Sequence, residues 1–131
     1  MICCYAEYNS DLPYAALSFL CCVQAQIGIR FREIETHESQ NPEYVANRGD
    51  ACFHCKTELY STLQSIRNSF RSNSNDDEQQ VTLFNGTNKD DLGDDTRVGL
   101  VAADNFDVRS PLIGISKDEV RMAAKYFGAY S

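Results

Sequence analysis

Three groups of residues have types and spacings that lend themselves to chemistry. The first is Asn85-Gly-Thr-Asn-Lys-Asp-Asp-Leu-Gly-Asp-Asp95, directly after the apolar run Val81-Thr-Leu-Phe84. That run reads as a short strand. In open α/β sheets ligands collect beyond the carboxyl ends of strands, so a turn of this composition in that place is a candidate ligand site. Gly86 lets a ligand approach the backbone, Thr87 and Asn88 can read polar edges, and Asp90, Asp91, Asp94 and Asp95 can hold Mg²⁺ or orient a ribose. The same residues also suit a solvated acidic turn at a helix start.

The second group is Cys52-Phe-His-Cys55, a C-x-x-C with a histidine inside it. Placed just before a helix, its first thiol would have a lowered pKa, as redox motifs do. Zinc or an iron-sulfur cluster wants about four ligands, and no second C-x-x-C is present. The alternative is one cysteine on an apolar helix face and one near the helix start. The third group is Arg109-Ser-Pro-Leu112, where Pro111 holds Ser110 extended and Arg109 can bind a phosphate through two parallel hydrogen bonds. Arg109 reads equally as a surface charge. His37 and His54 are isolated in sequence, with no evident Ser/Asp companion for a nucleophilic triad, so no residue is assigned as catalytic.

Elements that would position these groups follow from apolar periodicity. Residues 2 to 6 suit a buried strand. A helix then follows, capped by Ser10 or Asp11, with Leu12, Ala16, Leu20, Val23 and Ile27 on one face and Gly28 at its end. Ile29 to Ile34 reads as a second strand, and His37 to Asp50 as mostly loop with a helical turn near Tyr44. Cys55, Leu59, Leu63, Ile66 and Phe70 recur on one helical face. Residues 71 to 80 read as a surface loop, and a further helix is expected from about Thr96 to Asn105. Val108 to Leu112 breaks that pattern. Ser116-Lys-Asp-Glu119 is a capping box for a last helix whose apolar face is Val120, Ala123, Ala124 and Phe127, ended by Gly128. Strands alternating with helices predict an α/β fold with a mostly parallel sheet and flanking helices, in one domain.

Composition narrows the function classes. The 131 residues carry 12 Lys and Arg against 19 Asp and Glu, a net charge of −7. That balance argues against nonspecific binding of nucleic acid or a membrane surface, which needs clustered cations. No run approaches the ~20 apolar residues of a bilayer span. The opening Met-Ile-Cys-Cys-Tyr-Ala lacks a basic start and a cleavage site, so the six cysteines are expected in a reducing cytoplasm.

The order of the motifs adds a resemblance. Asn41-Pro-Glu-Tyr-Val-Ala-Asn, Cys52-Phe-His-Cys-Lys-Thr-Glu-Leu-Tyr, Asn85-Gly-Thr-Asn-Lys-Asp-Asp, Gly99-Leu-Val-Ala-Ala, Val108-Arg-Ser-Pro-Leu and Ser116-Lys-Asp-Glu-Val-Arg occur in that sequence. Together they resemble the middle of LarE-type ATP-dependent sacrificial sulfur transferases. These belong to the PP-loop superfamily, also called N-type ATP pyrophosphatases or adenine nucleotide alpha hydrolase-like proteins. The resemblance implies a partial doubly wound nucleotide-binding domain. It implies adenylylation of a pyridinium mononucleotide carboxylate with ATP and Mg²⁺, followed by sulfur transfer toward the nickel-pincer cofactor of lactate racemase. By it, Gly86, Thr87, Asn88, Asp90 and Asp91 line the adenylate site and Arg109 with Ser110 lies beside it. Cys52 and Cys55 match a pair frequent in the family.

Three departures shape the expectation. The family commonly has Asp where this chain has Asn85. The superfamily's pyrophosphate signature, Ser-Gly-Gly-x-Asp-Ser, does not occur in the sequence, and it belongs in a unit before the first strand. The family's donor cysteine belongs in a segment after the last helix. The chain is therefore expected to be a central, incomplete PP-loop domain, inactive alone, whose open sheet edge would favour a homo-oligomer. Two alternatives stand beside it: a non-catalytic adenylate-binding module, and a Cys-x-x-Cys redox or metal protein.

Overall fold

The computed structural model describes residues 3–8, 25–72, 81–93 and 98–128. They fall into two compact units, one formed by residues 1–36 and 118–131 and the other by residues 37–117. Among the described residues no helix is long and apolar enough to cross a membrane.

In the first unit β1 (Cys3–Tyr8) pairs in parallel with β2 (Arg30–Glu35), in a register that sets Cys3 opposite Arg30 and Tyr8 opposite Glu35. Parallel neighbours need a crossover of a dozen or more residues, and the intervening segment has that length. Most of the helix expected there lies outside the described residues. Its end is described: residues 25–27 are helical and Gly28 follows at φ 76°, the left-handed conformation that stops a helix. Within β2, Ile34 is buried and Thr36 just beyond it is buried two residues on, the period of a strand with one covered face.

The last helix, α4 (Lys117–Tyr126), contributes all but its first residue to this unit. Gly128 at φ 72° closes it as the sequence predicts, and Gln26 Nε2 donates to the Gly128 carbonyl at 2.7 Å. Of the apolar face expected from the sequence, Val120 and Ala124 are half-buried while Ala123 and Phe127 are exposed. Met122, Tyr126 and Phe127 are 72%, 86% and 80% exposed.

The second unit is built on α2 (Ala51–Ser72), a helix of 22 residues. Cys55, Leu59, Leu63, Ile66 and Phe70 are all half-buried along it and Ser65, Asn68 and Ser69 face solvent, but of the predicted stripe only Leu59 and Leu63 pack on the core, with Tyr60 and Phe53 from beside it. Ser61, Ser65 and Ser69 return their hydroxyls to carbonyls three or four residues back, which is how a serine-rich helix satisfies its side chains internally. The core it covers is Tyr60, Ala102, Ala103 and Val108, with Phe53, Leu59, Leu63, Leu83 and Phe106 packed around them. Ala102 and Ala103 lie on α3 (Gly99–Asn105), whose first residue sits hard against α2. A Cβ on Gly99 would stand 2.8 Å from Cys52 Sγ and 3.3 Å from Lys56 Cγ. Glycine is what allows the two helices to approach.

The region read as mostly loop holds more order than expected. A 3₁₀ turn (Glu38–Gln40) precedes α1 (Pro42–Ala46), which is capped by Asn41 accepting from the Glu43 N–H at 3.0 Å and has Pro42 at its first position. The start of α2 also lies four residues before the apolar face that announces it. Two short strands complete the unit: β3 (Leu83–Phe84) and β4 (Val108–Arg109) pair in parallel, Leu83 opposite Val108 and Phe84 opposite Arg109. β3 is thus half the length of the Val81-Phe84 run. β4 occupies a stretch that sequence periodicity reads only as a break. Asp107, at φ 53°, makes the tight turn from α3 into β4.

Candidate functional site

The carboxyl ends of β3 and β4 carry two loops that the structure holds side by side. The first is 85–91, the predicted ligand loop; the second is 110–116, which contains Ser110 and Pro111. The Asn85 N–H donates to the Arg109 carbonyl at 3.0 Å, continuing the ladder past the last strand residues. An isolated parallel bridge pairs Asn88 with Leu112, and the Lys89 N–H donates to the Ile115 carbonyl at 2.9 Å. The two loops are therefore one backbone-linked surface at the place where open parallel sheets bind ligands.

Asn85 is the side chain that joins them. Its Oδ1 accepts from the Thr87 N–H at 3.1 Å and from the Ser110 hydroxyl at 2.8 Å, while its Nδ2 donates to the Tyr60 hydroxyl at 3.3 Å. A backbone N–H can only donate, so the Thr87 contact fixes which end of the amide is oxygen. Tyr60 is 5% exposed and anchored in the core of α2. One amide thus ties the helix, the first loop and the second loop together.

The rest of the loop is arranged by short-range hydrogen bonds. Asn88 Oδ1 accepts from the Asp90 N–H at 3.0 Å, and Asp91 Oδ2 accepts from the Asn88 N–H at 3.0 Å. Asp90 Oδ2 accepts from the Lys117 N–H at 2.7 Å, placing a carboxylate at the first residue of α4. These are the turn and capping uses to which short polar side chains are suited. Gly86 is different. It is exposed, its φ is not positive, and a Cβ there would meet nothing within 4 Å. Neither conformation nor crowding in this structure demands a glycine at that position.

Of the predicted site residues, Gly86, Thr87, Asn88, Asp90 and Asp91 lie on the first loop, and Arg109 and Ser110 lie beside it. Asp94 and Asp95 fall outside the described residues. For Mg²⁺, Asp90 and Asp91 each have one oxygen committed to a backbone N–H, and neither belongs to a three-donor group among the described residues. Carboxylates such as these are the residue type that shares Mg²⁺ with water and phosphate.

Cys52 and Cys55 are thiols on the first turns of α2, Cys52 exposed and Cys55 half-buried. Cys52 packs against Gly99, a structural contact that the C-x-x-C pattern does not disclose. His54, isolated in sequence terms, has a companion: its Nε2 lies 3.4 Å from Asp50 Oδ2, one helical turn earlier. Asn85 and Tyr60 are the site residues that motif reading passed over as partners. The signal for Asn85 was its place at the end of a strand, whereas a tyrosine on an apolar helix reads only as core.

No known family model matches the chain. It is similar to the uncharacterized protein slr1717 of Synechocystis sp., 40% identical over 108 residues that make up 80% of this chain and 37% of that protein. The matching region thus spans well under half the length of that relative.

Proposed function

We propose that the loop pair 85–91 and 109–112 is the adenylate-binding surface of an ATP-dependent sulfur transferase of LarE type, within the PP-loop superfamily. The observation that carries the reading is the joining of these two loops through Asn85 at the carboxyl ends of two parallel strands. Asn85 and Ser110, 25 residues apart in sequence, become neighbours there.

In this reading Gly86 admits the nucleotide to the backbone, and Thr87 and Asn88 face its polar edges. Exposed Arg109, next to Ser110 in sequence, takes a phosphate through charge-assisted hydrogen bonds. ATP would supply the activating adenylyl group, with Mg²⁺ sharing its charge. The doubly wound sheet, the cytoplasmic setting and self-association through an open sheet edge belong to the same proposal. Asn85 has a structural use here, as a connector of loops.

A second reading is a non-catalytic adenylate-binding module, favoured by the amide of Asn85 where the family commonly has a carboxylate. Calorimetric titration with AMP and with ATP, coupled to a pyrophosphate assay in the presence of a pyridinium mononucleotide carboxylate, separates the two. Saturable AMP binding that weakens on the order of tenfold in Arg109→Ala supports the site, given about 1.5–3 kcal/mol for a charge-assisted hydrogen bond. Pyrophosphate release supports the transferase, and binding without release supports the module. Binding of neither nucleotide contradicts both.

A further inference from the structure

The strand pair that carries the loops has two faces, and the core uses one of them. Leu83 and Val108 are register partners, Val108 buried and Leu83 packed against the same cluster. Side chains alternate along a strand, so the next register pair, Phe84 and Arg109, stands on the reverse face. Phe84 is 62% exposed there, and Arg109 is exposed as well. Neighbouring strands lie about 4.8 Å apart, which sets the phenyl ring and the stem of the guanidinium side by side. Each is the last residue of its strand, and the Asn85 N–H donates to the Arg109 carbonyl at 3.0 Å, so this face runs directly into the two loops.

Parallel sheets are ordinarily covered on both faces, and an aromatic ring on an open one calls for a cover. Its neighbour decides what kind. An apolar helix laid over Phe84 would leave the guanidinium beside it desolvated without an anion, which is costly. A small ligand that carries a planar ring and an anion on one scaffold satisfies both side chains at once. The ring stacks on the phenyl face and the anion pairs with the guanidinium. A nucleoside monophosphate has that chemistry, and stacking of a base on an aromatic side chain is a recurrent source of its affinity for proteins.

We infer that Phe84 is the platform on which the adenine ring stacks while Arg109 holds the phosphate. Phe84 is then the residue that distinguishes a nucleotide from a bare sugar phosphate. The inference rests on the adenylate reading of the loop pair and adds to it the face of the strands on which the base lies. A phenyl ring offers no hydrogen bond, so it selects for a flat base and leaves the choice among bases to polar groups of the loops.

The test is calorimetric titration of the full chain with AMP and with ribose 5-phosphate, in the parent, Phe84→Ala and Phe84→Tyr. Phe84→Ala should weaken AMP about fivefold or more, the low end of what stacking one base on an aromatic side chain contributes. Ribose 5-phosphate should bind equally weakly in all three chains, and Phe84→Tyr, which keeps a ring, should hold AMP as the parent does. Phe84 lies outside the core, so its replacement by alanine opens no cavity, and an unchanged circular dichroism spectrum is the control. AMP affinity unchanged in Phe84→Ala, or ribose 5-phosphate binding that falls in step with AMP, would overturn the assignment. If AMP still weakens in Arg109→Ala, the adenylate surface then stands without this platform. If the parent chain binds no AMP, the adenylate reading itself fails and the platform with it.

Discussion

Asn85 concentrates more of the site's order than any of the residues that surround it. Its amide oxygen holds Thr87 and Ser110, and its amide nitrogen reaches Tyr60. Asn85→Ala leaves three half-buried or buried groups without that partner. The expected loss of stability is about 1–3 kcal/mol, measured by urea denaturation. Asn85→Asp should cost less. A carboxylate keeps both acceptor contacts, and the Tyr60 hydroxyl can turn from acceptor to donor. Tyr60→Phe isolates that single contact, with an expected loss of about 0.5–1.5 kcal/mol and little change in packing. If Asn85→Ala proved no less stable than the parent chain, the amide would not be the connector the hydrogen bonds describe. At this scale the sequence was legible where a residue's use is local. Asn88, Asp90 and Asp91 sit in a polar turn after a strand, as their types indicate. The pairing of Asn85 with Ser110, 25 residues away, and of His54 with Asp50 depends on how elements dock, and no local pattern encodes it.

At the scale of elements, the contact between α2 and α3 governs how the site's floor is set. Gly99→Ala introduces a Cβ at 2.8 Å from Cys52 Sγ, so α3 must shift or Cys52 must rotate. The expected cost is about 1–3 kcal/mol, the range for overpacking a formed contact. Cys52→Ala should recover much of it in the double variant, because it removes the sulfur the new methyl meets. Additive losses in that double-mutant cycle would contradict the packing assignment. The same contact gives Cys52 a structural use beside any chemistry of its thiol. Long, strongly periodic elements were readable in advance: the helix announced by Cys55 to Phe70 is α2, with Leu59 and Leu63 of that stripe on the core, and Gly28 and Gly128 end helices where expected. β4 was not readable, since two residues ended by a Ser-Pro carry no periodicity. The order in 37–50 rests on capping by Asn41 and on Pro42, signals that a polar composition masks.

At the scale of the molecule, both strand pairs described are parallel. The alternation of strands and helices made that much legible from the sequence. The full sheet order was not, because parallel pairing is decided by contacts far apart along the chain. The proposed adenylate site makes a prediction that only the whole folded chain can test. Amide chemical shifts recorded by NMR during titration with AMP report binding and its location together. Saturable shifts confined to 84–91 and 109–112, and abolished in Gly86→Val, are the predicted result. Shifts elsewhere, or none at AMP concentrations in the millimolar range, would contradict the account.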